Sequence, residues 1–352
     1  MIKVLGLALY GQLAASTRHR LWQYVPGLAN MGIELQIYHL LDDEYLFQRF
    51  RGGRLPLEQI LKSGVNRLLN LCRQNEFDIV MLHCELFPLL PGFIERAMIH
   101  KPYIYDLDDA FYLKYRRGRL GFASPILGKK FEYIMRGATL VTAGNNVLAN
   151  YASQYNNNIH YLPTVIDTDR YKNRPIKQEN EVFTVGWIGS PSTAVYLSEI
   201  SESLSIIGLE GPVQFIVIGG KAPKVPNVNV VELDWSENTE IELISAFDVG
   251  VMPLPDDDWA RGKCAFKLIQ YMACAVPVIA SPIGANIDVV NSQCGLMASN
   301  KEEWTNAFRE FRDNYIMRIQ MGISGRKRIF EKYSLNKNLP LLAKAIHQTL
   351  GV

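Results

Sequence analysis

Residues 259–284, Trp259-Ala260-Arg261-Gly262-Lys263-Cys264-Ala265-Phe266-Lys267-Leu268-Ile269-Gln270-Tyr271-Met272-Ala273-Cys274-Ala275-Val276-Pro277-Val278-Ile279-Ala280-Ser281-Pro282-Ile283-Gly284, read as a cationic turn, a helix over 266–275 and a buried strand over 277–281. Three cations, Arg261, Lys263 and Lys267, fall within seven residues at the start of that helix. A helix N-terminus carries about +0.5 of an elementary charge, so cations there are unfavourable unless an anion sits among them. First-turn N–H groups together with Arg and Lys would make a diphosphate cradle. A solvated basic turn accounts for the same composition.

Outward from this segment, strands and helices alternate along the whole chain, the pattern of parallel sheets wrapped by helices. In the first half strands are expected at 3–9, 33–38, 78–83, 103–106 and 140–143, with a helix over 18–31. A polar stretch over 169–181 then interrupts the apolar pattern and reads as a linker. Beyond it strands are expected at 183–189, 214–220, 248–253 and 277–281, and helices from Lys301 and Leu339. Two similar α/β halves are the simplest account, with the cleft between them the default ligand site. The expected domains are 1–170 and 171–337, with a C-terminal helix over about 338–352 packing back on the first.

Composition narrows the function classes. No run of the 352 residues approaches the ~20 apolar residues of a membrane span, and the N-terminal strand is a poor signal peptide. The five cysteines are scattered with no Cys-x-x-Cys pair, which fits a cytoplasmic chain with reduced thiols and gives a zinc site no support. The six histidines show no metal spacing, so no metal site is expected. A net charge of +2 does not point to nucleic acid. The charge is uneven: residues 1–170 hold 19 basic and 15 acidic side chains, and residues 171–352 hold 18 and 20.

The segment Phe266-Lys267-Leu268-Ile269-Gln270-Tyr271-Met272-Ala273, followed by Pro277-Val278-Ile279-Ala280-Ser281 and Gly284, resembles the donor-binding signature of the retaining glycosyltransferases of family four. The resemblance covers nearly the whole chain. It implies the GT-B fold, two Rossmann-like doubly wound parallel-sheet domains facing across a cleft. The C-terminal domain would bind a nucleotide sugar and the N-terminal one an acceptor, with no cofactor and no metal in the transfer. The family's Glu-x7-Glu pattern falls on Gly262 and Gln270, and its Arg-x4-Lys pair is absent from Gly189-Ser190-Pro191-Ser192-Thr193-Ala194-Val195-Tyr196. The resemblance therefore assigns diphosphate neutralisation to Arg261, Lys263 and Lys267, the ribose to Gln270, and phosphate contacts to Gly189, Ser190, Ser192, Thr193 and Gly284.

In the first half, the loop holding Gly11 and Ser16-Thr17-Arg18-His19-Arg20 follows the first strand. In such enzymes this loop approaches the phosphates and acceptor, so Gly11, Ser16 and Arg18 are substrate-binding candidates, and Arg18 or Arg20 could meet an anion. An exposed basic turn is the plainer reading. Asp106-Leu107-Asp108-Asp109 follows a buried strand, and Asp108 and Asp109 are assigned to a sugar or acceptor hydroxyl, as a general base or a stabiliser of positive charge. A helix N-cap explains the same residues. The tract Lys114-Tyr115-Arg116-Arg117-Gly118-Arg119-Leu120-Gly121-Phe122, with Lys129-Lys130 beyond and Arg49, Arg51 and Arg54 in the same half, reads either as a loop touching anionic lipid or as a solvated loop.

These readings converge on a cytoplasmic, metal-independent glycosyltransferase, peripheral at the inner face of a membrane. It would move a sugar from a nucleoside-diphosphate sugar to a glycan or lipid-linked acceptor in surface polysaccharide biosynthesis, with retention. A non-catalytic nucleotide-sugar-binding partner protein and a nucleotide-sugar epimerase on the same fold are the rivals.

Overall fold

The computed structural model describes the chain apart from residues 51, 54, 55, 117, 173–178 and 352 and the side chains of 50 and 118–120. Arg51, Arg54 and Arg117, the Arg119 side chain, and part of the expected linker thus lie outside the described residues. Two compact units form, one comprising Met1–Val165, Gly262–Cys264 and Leu335–Val352, the other Ile166–Arg261 and Ala265–Ser334.

The first unit is built on six parallel strands, β1 (Ile2–Tyr10), β2 (Ile33–Leu41), β3 (Ile79–His83), β4 (Tyr103–Leu107), β5 (Leu140–Ala143) and β6 (Ile159–Tyr161), in the order β2-β1-β3-β4-β5-β6. Strands β3, β4 and β5 are buried at every position, as parallel strands covered on both faces by helices must be. Val4, Met81 and Ile104 share a core with Leu342, Ala343 and Ile346 of the helix Leu335–Leu350.

The second unit repeats the architecture with β7 (Phe183–Ile188), β8 (Val213–Ile218), β9 (Asn229–Leu233), β10 (Val249–Met252), β11 (Val278–Ala280) and β12 (Gly295–Met297), all parallel, in the order β12-β11-β10-β7-β8-β9. Two apolar layers cover this sheet. Leu268, Ile269 and Met272 of the helix Phe266–Ala273 belong to one, and Leu204, Trp304 and Phe308 to the other. Strand order reverses at β7, the first strand, which sets a topological switch point beside its carboxyl end.

Several elements differ from expectation. The helix expected over 18–31 is three short pieces, Ala15–Arg20, Trp22–Tyr24 and Val25–Asn30. Leu21 leaves helical geometry at φ −124°, and Pro26 opens the third piece where a missing N–H costs least. Strands β6, β9 and β12 escape notice because each is only partly buried, so the apolar signal is weak. The last helix starts at Leu335 and carries Pro340 inside it. Packing of its apolar face outweighs the one lost backbone bond.

Candidate functional site

In the second unit, the carboxyl end of β7 turns through Gly189 and Ser190 into the four-residue helix Pro191–Ala194. Gly189 N donates to Ile218 O at 3.0 Å, tying the turn to β8. Ser190 Oγ and Ser192 Oγ lie 2.9 Å apart, and Thr193 Oγ1 donates to Ser190 O at 3.1 Å. The helix Phe266–Ala273 starts beside this turn from Ala265, which is left-handed at φ +54° and offers no side-chain cap. Lys267, in its first turn, places its ammonium 5.4 Å from the centre of the Trp187 ring. A side chain at Gly189 would fall 2.7 Å from Lys267 Cε, so turn and lysine are in direct contact. Small-residue turn, hydroxyls and first-turn cation thus gather at the switch point.

The three cations named from the sequence have three different partners. Arg261 ends the short helix Asp258–Arg261 and pairs with Asp256 at 2.8 Å and Asp258 at 3.8 Å, well exposed to solvent. Lys263 belongs with Gly262 and Cys264 to the first unit, where it lies 3.6 Å from Asp109. Asn145 Nδ2 holds that segment by donating to Gly262 O (2.9 Å) and Lys263 O (3.0 Å). Arg261 and Lys267 thus belong to the second unit and Lys263 to the first, each with its own partner. Gly262 has a steric cause: a Cβ there would lie 2.5 Å from Ala110 Cβ. Gly284 is left-handed at φ +53°, and a Cβ would lie 2.4 Å from Arg261 O.

Gln270 is 4% exposed, and its Nε2 donates to Glu240 Oε2 at 3.3 Å. Glu240, itself buried, also accepts from Trp235 Nε1 at 2.9 Å and lies 3.5 Å from Arg170 Nη2. The amide expected at a ribose is thus engaged within the unit. Nothing in the local sequence marks Glu240 or Trp235, because their meeting with Gln270 is long-range.

In the first unit the register of the sheet sets Ala8, His83, Asp106 and Thr142 side by side. Asp106 Oδ2 accepts from Arg20 Nε at 3.0 Å and from His83 Nδ1 at 2.9 Å, and its Oδ1 accepts from Arg20 Nη2 and from Thr142 Oγ1 (2.6 Å). Burial would raise the Asp106 pKa, but Arg20 and His83 outweigh it and hold the carboxyl well below the usual range. Burial likewise opposes a charge on His83, yet Cys84, Asp108 and Asp106 raise its pKa well above that of an ordinary histidine. Arg20, suggested above as a contact for an anion, is fully buried and engaged with Asp106. Arg18 is 8% exposed and folds back, Nη1 donating to Gln12 O at 2.8 Å. Gly11 is buried against Asp43, which accepts from Leu13 N at 2.8 Å, and Ser16 is half-buried in the first helix.

Asp108 and Asp109 diverge. Asp108 Oδ1 faces His83 Nε2 at 3.9 Å with its side chain 9% exposed, and burial raises its pKa. Asp109 is 27% exposed and meets Lys263. Among the described residues of the basic tract, Lys114 Nζ lies 2.5 Å and the buried Lys130 Nζ 2.6 Å from Glu85, Arg116 pairs with Glu132 at 2.8 Å, and Lys129 is exposed. Lys114 and Lys130 thus neutralise the buried Glu85 carboxylate. Glu85, His83 and Asp106 carry most of this organisation, and sequence spacing singled out none of them.

Comparison with known proteins bears on both halves. Residues 180–314 match the family described as glycosyl transferases group 1. No curated protein matches the chain by sequence. Among solved structures, the chain is similar to sucrose-phosphate synthase from Thermosynechococcus elongatus, at 12% identity and a TM-score of 0.70, covering 100% of both chains. It is similar to Anabaena HepE in complex with UDP-glucose, at 14% identity and a TM-score of 0.66, covering 99% of this chain and 100% of that one. It is also similar to WaaG, a glycosyltransferase involved in lipopolysaccharide biosynthesis, at 14% identity and a TM-score of 0.67, covering 97% and 99%. At these identities the likeness establishes the fold. The architecture is GT-B, two Rossmann-like α/β units, as the sequence led one to expect.

Proposed function

We propose that the chain is a glycosyltransferase that moves a sugar from a nucleoside-diphosphate sugar to a hydroxyl of a glycan or lipid-linked acceptor, with retention, in surface polysaccharide biosynthesis (lipopolysaccharide, capsule or exopolysaccharide). The observation that carries it is the meeting of Gly189, Ser190 and Lys267 at the switch point of the sheet within the matched domain. Backbone amides and a cation at a helix start suit a departing diphosphate, and such fixed electrostatics are commonly the largest catalytic contribution. UDP and UDP-glucose bound to HepE favour a uridine donor. Lys267 would meet the diphosphate directly. Arg261 and Lys263 would contribute by exchanging Asp256 and Asp109 for it. Ser192, Thr193 and Gly284 shape the turns around it, and Gln270 acts on the ribose through its link to Glu240. In the first unit Asp109, the more exposed carboxylate, would meet the acceptor hydroxyl, with Asp108 behind it and Gly11, Ser16 and Arg18 in the neighbouring loop. No metal is needed where lysine and backbone amides neutralise the diphosphate.

A lipid-linked acceptor is favoured by the helix Leu57–Cys72, which exposes Leu57, Leu61, Val65 and Leu69 while burying Arg67. Contiguous exposed apolar surface marks an interaction site, here the inner face of a membrane. Among the described residues no helix is long and apolar enough to cross one.

A thermal-shift panel of UDP-, GDP-, dTDP- and CMP-sugars tests the donor. One nucleotide class should raise the melting midpoint, since a ligand at 100 times its dissociation constant stabilises by about 2.7 kcal/mol. No shift with any donor would sink the reading. The tight packing at Gly262 and the engagement of Gln270 favour one second reading, a nucleotide-sugar-binding partner without activity. Donor binding with neither hydrolysis nor transfer would select it.

A further inference from the structure

We propose that His83 Nε2, Cys84 Sγ and Asp108 Oδ1 form a binding site for a divalent transition metal of the zinc type, at the carboxyl ends of β3 and β4. The three atoms lie within 4.8 Å of one another. His83 is fully buried, and neither its Nε2 nor Asp108 Oδ1 has a hydrogen-bond partner. A buried polar atom without a partner costs about 1–3 kcal/mol, so two that face each other at 3.9 Å call for something between them.

The surroundings suit a metal. His83 Nδ1 donates to Asp106 at 2.9 Å, which fixes the ring and turns Nε2 away from Asp106. A carboxylate behind a histidine in this way is the usual support of a metal-binding imidazole. Asp106 is in turn held by Arg20 and Thr142. Cys84 occupies the left-handed region at φ +70°, a conformation that costs an L residue energy and gathers at functional sites. Ligand atoms of a tetrahedral zinc ion lie about 3.3–3.8 Å apart, given bonds of ~2.0–2.3 Å. The cluster therefore needs to contract by about an ångström at its widest. A mixed nitrogen, sulfur and oxygen set selects zinc-like ions over magnesium or calcium, which take oxygen alone.

Charge balances as well. Cys84 would bind as thiolate and His83 through a neutral ring, the thiol proton and the Nε2 proton both passing to solvent as the ion binds. With Asp108 ionised and Arg20 paired to Asp106, a divalent ion leaves the buried group with no net charge. The ion has no part in neutralising the diphosphate, and its test stands apart from any assay of transfer.

The experiment is a titration of the chelator-stripped full chain with Co²⁺, read by thiolate-to-cobalt charge-transfer absorption. One equivalent should develop the band, Zn²⁺ should displace it, and Cys84→Ser should abolish it. Asp108→Asn and His83→Gln should each weaken binding by at least about tenfold, with circular dichroism showing that the variants fold. A wild-type protein that develops no band at one equivalent overturns the proposal even if every variant misfolds. A band that survives Cys84→Ser overturns it too. Either outcome would leave a proton on His83 to meet Asp108.

Discussion

His83 and Asp106 face each other in register across β3 and β4, with Nδ1 donating to Oδ2 at 2.9 Å, and the same carboxylate takes two hydrogen bonds from the guanidinium of Arg20. All three side chains are fully or almost fully buried. The carboxylate is the counter-charge that permits Arg20 inside the first unit.

Asp106→Asn should therefore destabilise by about 3–5 kcal/mol, because it strands a buried guanidinium without its partner. Urea unfolding of the full chain measures this. A loss below about 1 kcal/mol would show that water reaches Arg20.

At the donor side, Lys267→Ala should lower turnover by about 10²–10³ if its ammonium stabilises the departing diphosphate. Its stem rests on Trp187 and Gly189, so the melting midpoint should move little. Lys267→Arg should restore part of the rate. An unchanged rate in the alanine variant removes the residue from the mechanism.

Gly262→Glu would put back the carboxylate that the related signature carries, but its Cβ would fall 2.5 Å from Ala110 Cβ. Overpacking of this kind costs about 1–3 kcal/mol, so the variant should melt earlier and gain no activity. Combining Gly262→Ala with Ala110→Gly should recover most of the loss that Gly262→Ala causes alone. Additive losses would contradict the contact.

Glu210 accepts from Arg309 and Arg312, which lower its pKa to about 2. Its folded pKa lies below the unfolded one, so its contribution is complete above about pH 4.5 and fades as pH falls towards 2. The site is solvent-exposed, which keeps the contribution below about 1 kcal/mol. Glu210→Gln should lower stability near pH 7 by that small amount and converge with the wild type near pH 2. Parallel stability curves at all pH values would refute the linkage.

If the helix Leu57–Cys72 lies on a membrane, the double change Leu61→Asp and Val65→Asp should cut co-sedimentation with anionic phospholipid vesicles several-fold. Both positions are more than half exposed, so unfolding midpoints should be kept. Equal vesicle binding by wild type and variant would discard this face.

The fold was largely legible because buried parallel strands are continuous apolar runs. Strands β3, β4, β5 and β7 stand out in that way, whereas β6, β9 and β12 are only partly buried. The turn after β7 was legible for a similar reason, since Trp187, Gly189 and Ser190 are contiguous and Lys267 opens the neighbouring helix. The other cations were less so. Residues Arg261 and Lys263 are adjacent but one apart in the chain, yet Lys263 meets Asp109, 154 positions away, and no local spacing announces that.

What the sequence by itself determined is the alternation of strand and helix, two doubly wound halves, and a cationic helix start followed by a buried strand. These are local or periodic properties, set by which residues lie one turn or one pleat apart. Only the tertiary structure decided which charges were available. Sheet register brought His83 to Asp106 and Asp106 to Thr142, and packing gave Arg20, Lys114 and Lys130 their buried carboxylates. A charge taken out of water must find a counter-charge, and that partner is chosen by proximity in space, which residue spacing along the chain does not encode.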